Sequence, residues 1–91
     1  MKTPIPTTYI LECVDKTLYV GSTTNLEKRL HEHNHSKCGA HYTKIRRPVI
    51  IKYTETFAAL GEARSRERAI KKLSRAQKLK LIGDTKNSLE K

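Results

Sequence analysis

Thr7-Thr8-Tyr9-Ile10-Leu11-Glu12-Cys13-Val14, then Asp15-Lys16, then Thr17-Leu18-Tyr19-Val20-Gly21, is the stretch on which the fold turns. Both halves are rich in β-branched and aromatic residues and a polar pair divides them, so the segment predicts a β-hairpin. Asp15-Lys16 lacks the glycine that a two-residue turn favours, which leaves room for a longer connection with a bulge. Register then decides where the tyrosines point. An even loop centred on Asp15-Lys16 sets Tyr19 opposite Glu12 and sends Tyr9 and Tyr19 to opposite faces, whereas an odd loop or a bulge brings them to one face.

Downstream, Thr24-Asn25-Leu26-Glu27 fits a capping box with Thr24 as N-cap, and a helix is expected to run from there to about Asn34. Leu26 and Leu30 share one side of it, and Arg29 and His33 lie within about 60° of that side at roughly 100° per residue. His35 to Lys44 is polar and aperiodic, a loop or a short irregular helix. Pro48 to Glu55 reads as a third strand, apolar enough for the centre of a small sheet. A second helix is expected from Ala58 to about Arg75, with Ala59, Ala63, Ile70 and Leu73 inward. A short third helix follows over Ala76 to Ile82, ended by Gly83 and a frayed polar tail over residues 83–91.

Ninety-one residues support one domain over residues 1–91, with its core at about 7–82. Hydrophobic residues make up 36% of the chain, but one Phe and no Trp imply a thin core. No apolar run is long enough for a membrane span or a secretory signal, so a soluble, cytoplasmic protein is expected. Cys13 and Cys38 allow one disulfide at most, and reduced thiols are the default. The net charge of +10 favours a polyanionic partner, and nucleic acid leads that list. Residues 44–91 carry fourteen bases and five acids (+9), while residues 1–43 carry five and four (+1), so the basic surface is mainly C-terminal. A generically basic, solvated surface is the plain alternative.

Glu67 is the main anomaly. Taking Ala63 as zero, it falls at about 40° and Ile70 at about −20°, which sets a carboxylate inside the apolar arc. It either pairs with one of the many arginines or serves as a metal ligand or general base. Arg29 and His33, at i and i+4 beside the apolar stripe, are commonplace inward-leaning polar groups or the lining of a shared pocket. An arginine there suits an oxyanion such as phosphate, because its planar fork stays charged. His31, His33, His35 and His41 near Cys38 invite a zinc site, but only Cys38-Gly39-Ala40-His41 has ligand spacing and no second pair completes it. No glycine-rich phosphate loop is present.

The ordered set Tyr9-Ile10-Leu11, Tyr19-Val20-Gly21, Arg29, His33 and Glu67 resembles the GIY-YIG nuclease family, over about residues 7 to 82. Tyr42-Thr43-Lys44-Ile45-Arg46-Arg47-Pro48 and Ala69-Ile70-Lys71-Lys72-Leu73-Ser74-Arg75 resemble its short single-domain bacterial members of uncharacterised role. The chain departs from the pattern in three places. Thr7 and Thr8 stand where the first motif has Gly and Ile, and Val20 replaces an Ile. Lys80-Leu81-Ile82 stands where the nucleases have a polar residue, usually Asn, about fifteen positions after the glutamate.

The resemblance implies an α+β fold with a three-stranded antiparallel sheet flanked by helices, and phosphodiester hydrolysis with one Mg²⁺ or Mn²⁺ ion. It assigns Glu67 to the metal, Arg29 to the scissile phosphate and Tyr9 to the proton of the attacking water. Tyr19 would order that water, and His33 would bond Tyr9 or relay its proton. Both tyrosines must then face one cleft, so an odd loop or a bulge is predicted near Asp15-Lys16. Arg46, Arg47, Arg64, Arg68, Lys71, Lys72, Arg75 and Lys78 are the expected nucleic-acid contacts, with DNA favoured over RNA. So small a chain would recognise a nick, flap, branch or end, or take its specificity from a protein partner. A binding module that keeps the fold without the chemistry is the alternative.

Overall fold

A computed structural model describes residues 4–35 and 45–89, with side chains over 4–35 and 45–83. The proposed Cys38 and His41 ligand pair, the stretch Tyr42 to Lys44 and the centre of the expected loop lie outside the described residues. Three strands, β1 (Thr7–Glu12), β2 (Leu18–Thr23) and β3 (Ile50–Thr56), form one antiparallel sheet in the order β2-β1-β3. Among the described residues three helices, α1 (Leu26–His35), α2 (Leu60–Lys71) and α3 (Arg75–Leu89), accompany the sheet in an α+β fold.

The hairpin loop is odd. Glu12 pairs with Leu18, and Cys13 N–H donates to Thr17 O at 2.9 Å. A turn closed by Lys16 N–H on Cys13 O spans the gap, with Lys16 in the left-handed region at φ 71°. This is the bulged three-residue connection, in which the last loop residue takes positive φ. The Asp15 carboxylate fixes the turn by accepting from Thr17 N–H and Oγ1 at 3.1 and 2.5 Å. Tyr19 therefore lies opposite Leu11, and both tyrosines share a face.

The central strand is β1, buried along almost its whole length, because strands flank it on both sides and helices cover both faces. β3 was expected in the centre and is instead an edge strand starting at Ile50, with alternate residues exposed. Ile10 pairs with Tyr53 and Leu11 with Ile51, so Lys52 is a bulge residue. It switches the face of the strand. Tyr53 joins Ile10, Val20, Ile70 and Ile82 under α2 and α3, while Ile51 joins Tyr9, Leu11, Cys13 and Val49 under α1.

Four helix boundaries differ from the expected ones. The N-cap of α1 is Asn25, not Thr24: its Oδ1 accepts from Lys28 N–H at 3.1 Å, while Thr23 Oγ1 accepts from Asn25 N–H. Ala59 caps α2 rather than joining the core, and Glu62 reaches back to Ala59 N–H at 3.1 Å. α2 ends at Lys71, with Lys72 as its C-cap, and Ser74 and Gln77 form a reciprocal capping box that starts α3 at Arg75. Gly83 does not stop α3, which runs on to Leu89. Glycine lowers helix stability by only about 1 kcal/mol, too little to end a helix whose Ile82 is already anchored in the core.

Candidate active site

The site is built on the paired strands β1 and β2. Tyr9 lies opposite Gly21, and its ring crosses directly over that glycine. A Cβ at position 21 would stand 2.6 Å from Tyr9 Cζ, so only glycine leaves the ring its place. Because the ring is 1% exposed, it has nowhere to retreat. Gly21→Ala is therefore expected to lower stability by about 1–3 kcal/mol, as overpacking does. Chemical denaturation measures the loss, and an unchanged midpoint would show that Tyr9 is not seated there.

On α1 the inward side predicted from sequence is the one observed. Leu26 and Leu30 pack under the sheet, and His33 is fully buried. Its Nε2 lies 3.0 Å from the Tyr9 hydroxyl, and its ring meets Tyr19 edge-on with centroids 5.1 Å apart. His33 thus stands between the two phenols. Burial, followed by the Arg29 charge, pushes its pKa down to about 4, so at neutral pH the ring is uncharged. An uncharged imidazole with its proton on Nδ1 accepts from the Tyr9 hydroxyl.

Burial, reinforced by Tyr19, pushes Tyr9 up to about 12, while hydrogen bonding and charge from Arg29 pull the other way. Arg29 alone does not make the phenolate. The Arg29 guanidinium also pairs with Glu32 at 3.1 Å, and that bond with the nearby phenols raises its pKa against the effect of burial. Glu32 and Tyr9 together hold the fork.

Glu67 arrives from the other face of the sheet. One carboxylate oxygen accepts from Ser22 Oγ at 2.5 Å and the other holds Lys71 Nζ at 2.6 Å. It is half-buried and close enough to Tyr9 for its charge to raise the phenol's pKa. Burial works against its ionisation, but Lys71, Ser22 and the Arg64 charge hold it below the usual carboxylate range. The sequence offered an arginine as its partner; the ion pair is with a lysine one turn on. Among the described residues no group of three or more His, Cys, Asp or Glu gathers in ligand array. A single ionised carboxylate still fits one hard divalent cation, since Mg²⁺ usually keeps several waters and binds through one or two carboxylates with substrate phosphates.

Of the expected nucleic-acid contacts, Arg64, Arg68, Lys71, Lys72 and Arg75 are exposed on α2 and the start of α3, and Lys78 is half-buried beside them. Arg46 and Arg47 have intramolecular work. Arg46 pairs with Asp15 at 3.1 Å in the hairpin loop. Arg47 donates to the backbone oxygens of His33 at 2.5 Å and Glu32 at 3.1 Å, where it satisfies the C-terminal end of α1.

Sequence reasoning missed two positioning groups. Ser22 follows Gly21 and holds Glu67, while Asn34 brackets Val49 by accepting from its N–H at 2.8 Å and donating to its carbonyl at 3.1 Å. The departures from the motif have local explanations. Thr8, fully buried, donates to Ala63 O at 2.6 Å and so ties β1 to α2. Ile82, in the neighbourhood where a polar residue was expected, packs against the sheet, with Leu81 beside that cluster.

The GIY-YIG catalytic domain model matches residues 5–80. A UPF0213 protein of Syntrophus aciditrophicus is 60% identical over 74 residues, covering 81% of this chain and 85% of that protein. Another from Staphylococcus haemolyticus is 54% identical over 74 residues, covering 81% and 89%. The solution structure of a UPF0213 protein from Bacillus halodurans is similar, with a TM-score of 0.56 at 38% identity, covering 87% of this chain and 83% of that one. The solution structure of the protein EF2693 from E. faecalis gives a TM-score of 0.55 at 39% identity, covering 89% of this chain and 84% of that one. Among the described residues no helix is long and apolar enough to cross a membrane. The chain belongs to the GIY-YIG catalytic domain family and has its nuclease-like fold.

Proposed function

We propose that the chain is a metal-dependent endonuclease that hydrolyses phosphodiester bonds, directed by structure on DNA. The observation that carries this reading is the surroundings of Tyr9: a buried phenol bonded to His33 and lying in the fields of both Arg29 and Glu67. Tyr9 lies over Gly21, and the next residue, Ser22, holds Glu67, so the phenol and the carboxylate are fixed by neighbouring positions of one strand.

Each side chain then has a task. Arg29 clamps the scissile phosphate and offsets the charge that builds on it. Mg²⁺ or Mn²⁺ held by Glu67 would supply Lewis-acid stabilisation of a phosphoryl oxygen. Tyr9 starts as a neutral phenol and orients the attacking water through its oxygen. Taking that water's proton requires additional positive charge in the cleft to bring its pKa down from about 12. His33, uncharged and bonded to Tyr9, fixes the phenol's rotation, and Tyr19 closes the cleft beside it. Arg64, Arg68, Lys72 and Arg75 track the flanking phosphates without reading sequence.

Labelled linear, nicked, flapped and branched DNAs and RNAs, incubated with Mg²⁺, Mn²⁺ or a chelator, test the reading. Cleavage of a nicked, flapped or branched DNA that the chelator abolishes is expected. Binding across the panel with no cleavage in any metal would overturn it and leave a non-catalytic binding module, the reading that Ile82 in the expected polar neighbourhood favours.

A further inference from the structure

We infer that Lys71 is a built-in competitor for the divalent cation at Glu67, an inference that rests on the metal-ligand reading above. The ammonium lies 2.6 Å from one Glu67 oxygen, one helical turn away on α2, while Ser22 occupies the other. Together they satisfy a partly buried carboxylate without any metal. A hard cation must take the place of an ammonium held by a charge-assisted bond, so the free protein binds metal more weakly than an unpartnered carboxylate would.

The displaced ammonium has somewhere to go. Lys71 and Lys78 line one side of an open cavity of about 230 Å³, with Leu18, Tyr19 and Val20 on the other. This cleft adjoins Tyr19 at the outer edge of β2 and holds two cations over an apolar floor, a setting for the phosphate next to the scissile one. Lys71 is half exposed, at 52%, and so can swing from Glu67 into the cleft. A phosphate there would draw the ammonium off the carboxylate, which couples arrival of the nucleic-acid backbone to loading of the metal. By linkage the metal then favours the backbone in turn.

The test is Mn²⁺ affinity measured by calorimetric titration without substrate, for the parent, Lys71→Met, Lys72→Met and the double variant Lys71→Met, Glu67→Gln. Lys72→Met removes the same charge without touching Glu67. Lys71→Met is expected to tighten Mn²⁺ binding on the order of fivefold, the strength of a partly exposed ion pair, and clearly more than Lys72→Met does. The double variant is expected to lose that binding. The Mn²⁺-induced rise in melting temperature should follow the same order, which also verifies that each variant folds. If Mn²⁺ binds through Glu67 but Lys71→Met matches Lys72→Met, the competitor role is wrong while the metal site stands. If no variant binds Mn²⁺ in a Glu67-dependent way, the metal reading itself fails.

Discussion

Glu67→Ala is expected to slow metal-dependent cleavage by about a thousandfold or more while nucleic-acid binding persists. On the proposed reading Glu67 is the protein's ligand to the metal, and the Lewis-acid stabilisation lost with it is worth several kcal/mol at about 1.4 kcal/mol per tenfold. The variant should fold. Its losses are one hydrogen bond from Ser22 and one ion pair whose lysine is half exposed, about 1 kcal/mol together. Binding is preserved for a separate reason: with one acid fewer, the formal charge rises from +10 to +11, and Lys71 is released toward the cleft. Single-turnover cleavage and gel-shift titration on the same substrate separate the two effects. Cleavage that survives within tenfold of the parent rate would remove Glu67 from the chemistry, and binding lost in parallel would make it a substrate contact.

How much of this site could be read from the chain depends on which residues carry periodic information. Strand alternation alone leaves Tyr9 and Tyr19 on one face or on two, according to loop length, and it is the family resemblance, which needs both phenols in one cleft, that predicts an odd loop. The turn with Lys16 at positive φ is that loop. Arg29 and His33 were legible because helix spacing places them beside Leu26 and Leu30, and burial of His33 follows from that stripe. Glu67 was legible for the same reason, as a carboxylate inside an apolar arc. Its partners were less so. Lys71 stands at i, i+4 from Glu67, but the sequence reading names only arginines as its partner, because they crowd the same helix. Ser22 and Asn34 act across tertiary contacts of 45 and 15 residues, which leave no local period to find. The place of β3 was misread because a run of apolar residues marks a buried strand, whereas here the bulge at Lys52 divides that run between two faces of an edge strand. Arg46 and Arg47 were counted with the basic surface on charge alone, and charge does not reveal that a carboxylate and two carbonyl groups already hold them.

Between pH 7 and pH 4 the fold is expected to lose about 3 kcal/mol through His33 alone, since its pKa drops from 6.5 to about 4 on folding. The unfolded chain takes up the histidine's proton as pH falls below 6.5, whereas the folded chain resists protonation until about 4. Stability from this group is therefore present above pH 6.5 and declines throughout the window below it. Protonating His33 inside the fold would set a third cation beside Arg29 and Arg47, partly offset by Glu32, and would make Nε2 a donor facing the Tyr9 hydroxyl. Glu67, held below the usual carboxylate range, contributes its own acid loss only lower, as pH falls through its depressed pKa. A loss of 3 kcal/mol is a large part of the 5–15 kcal/mol typical of a domain, so acid should unfold the chain well before its carboxylates are fully protonated. Urea midpoints at pH 7, 5.5 and 4 measure the effect. In His33→Gln, whose amide can still accept from Tyr9 but does not titrate, the midpoint is expected to start lower at pH 7 and fall much less toward pH 4. Parallel pH profiles for the two proteins would mean that His33 takes up its proton as readily in the fold as in the unfolded chain, and that burial does not hold the ring uncharged.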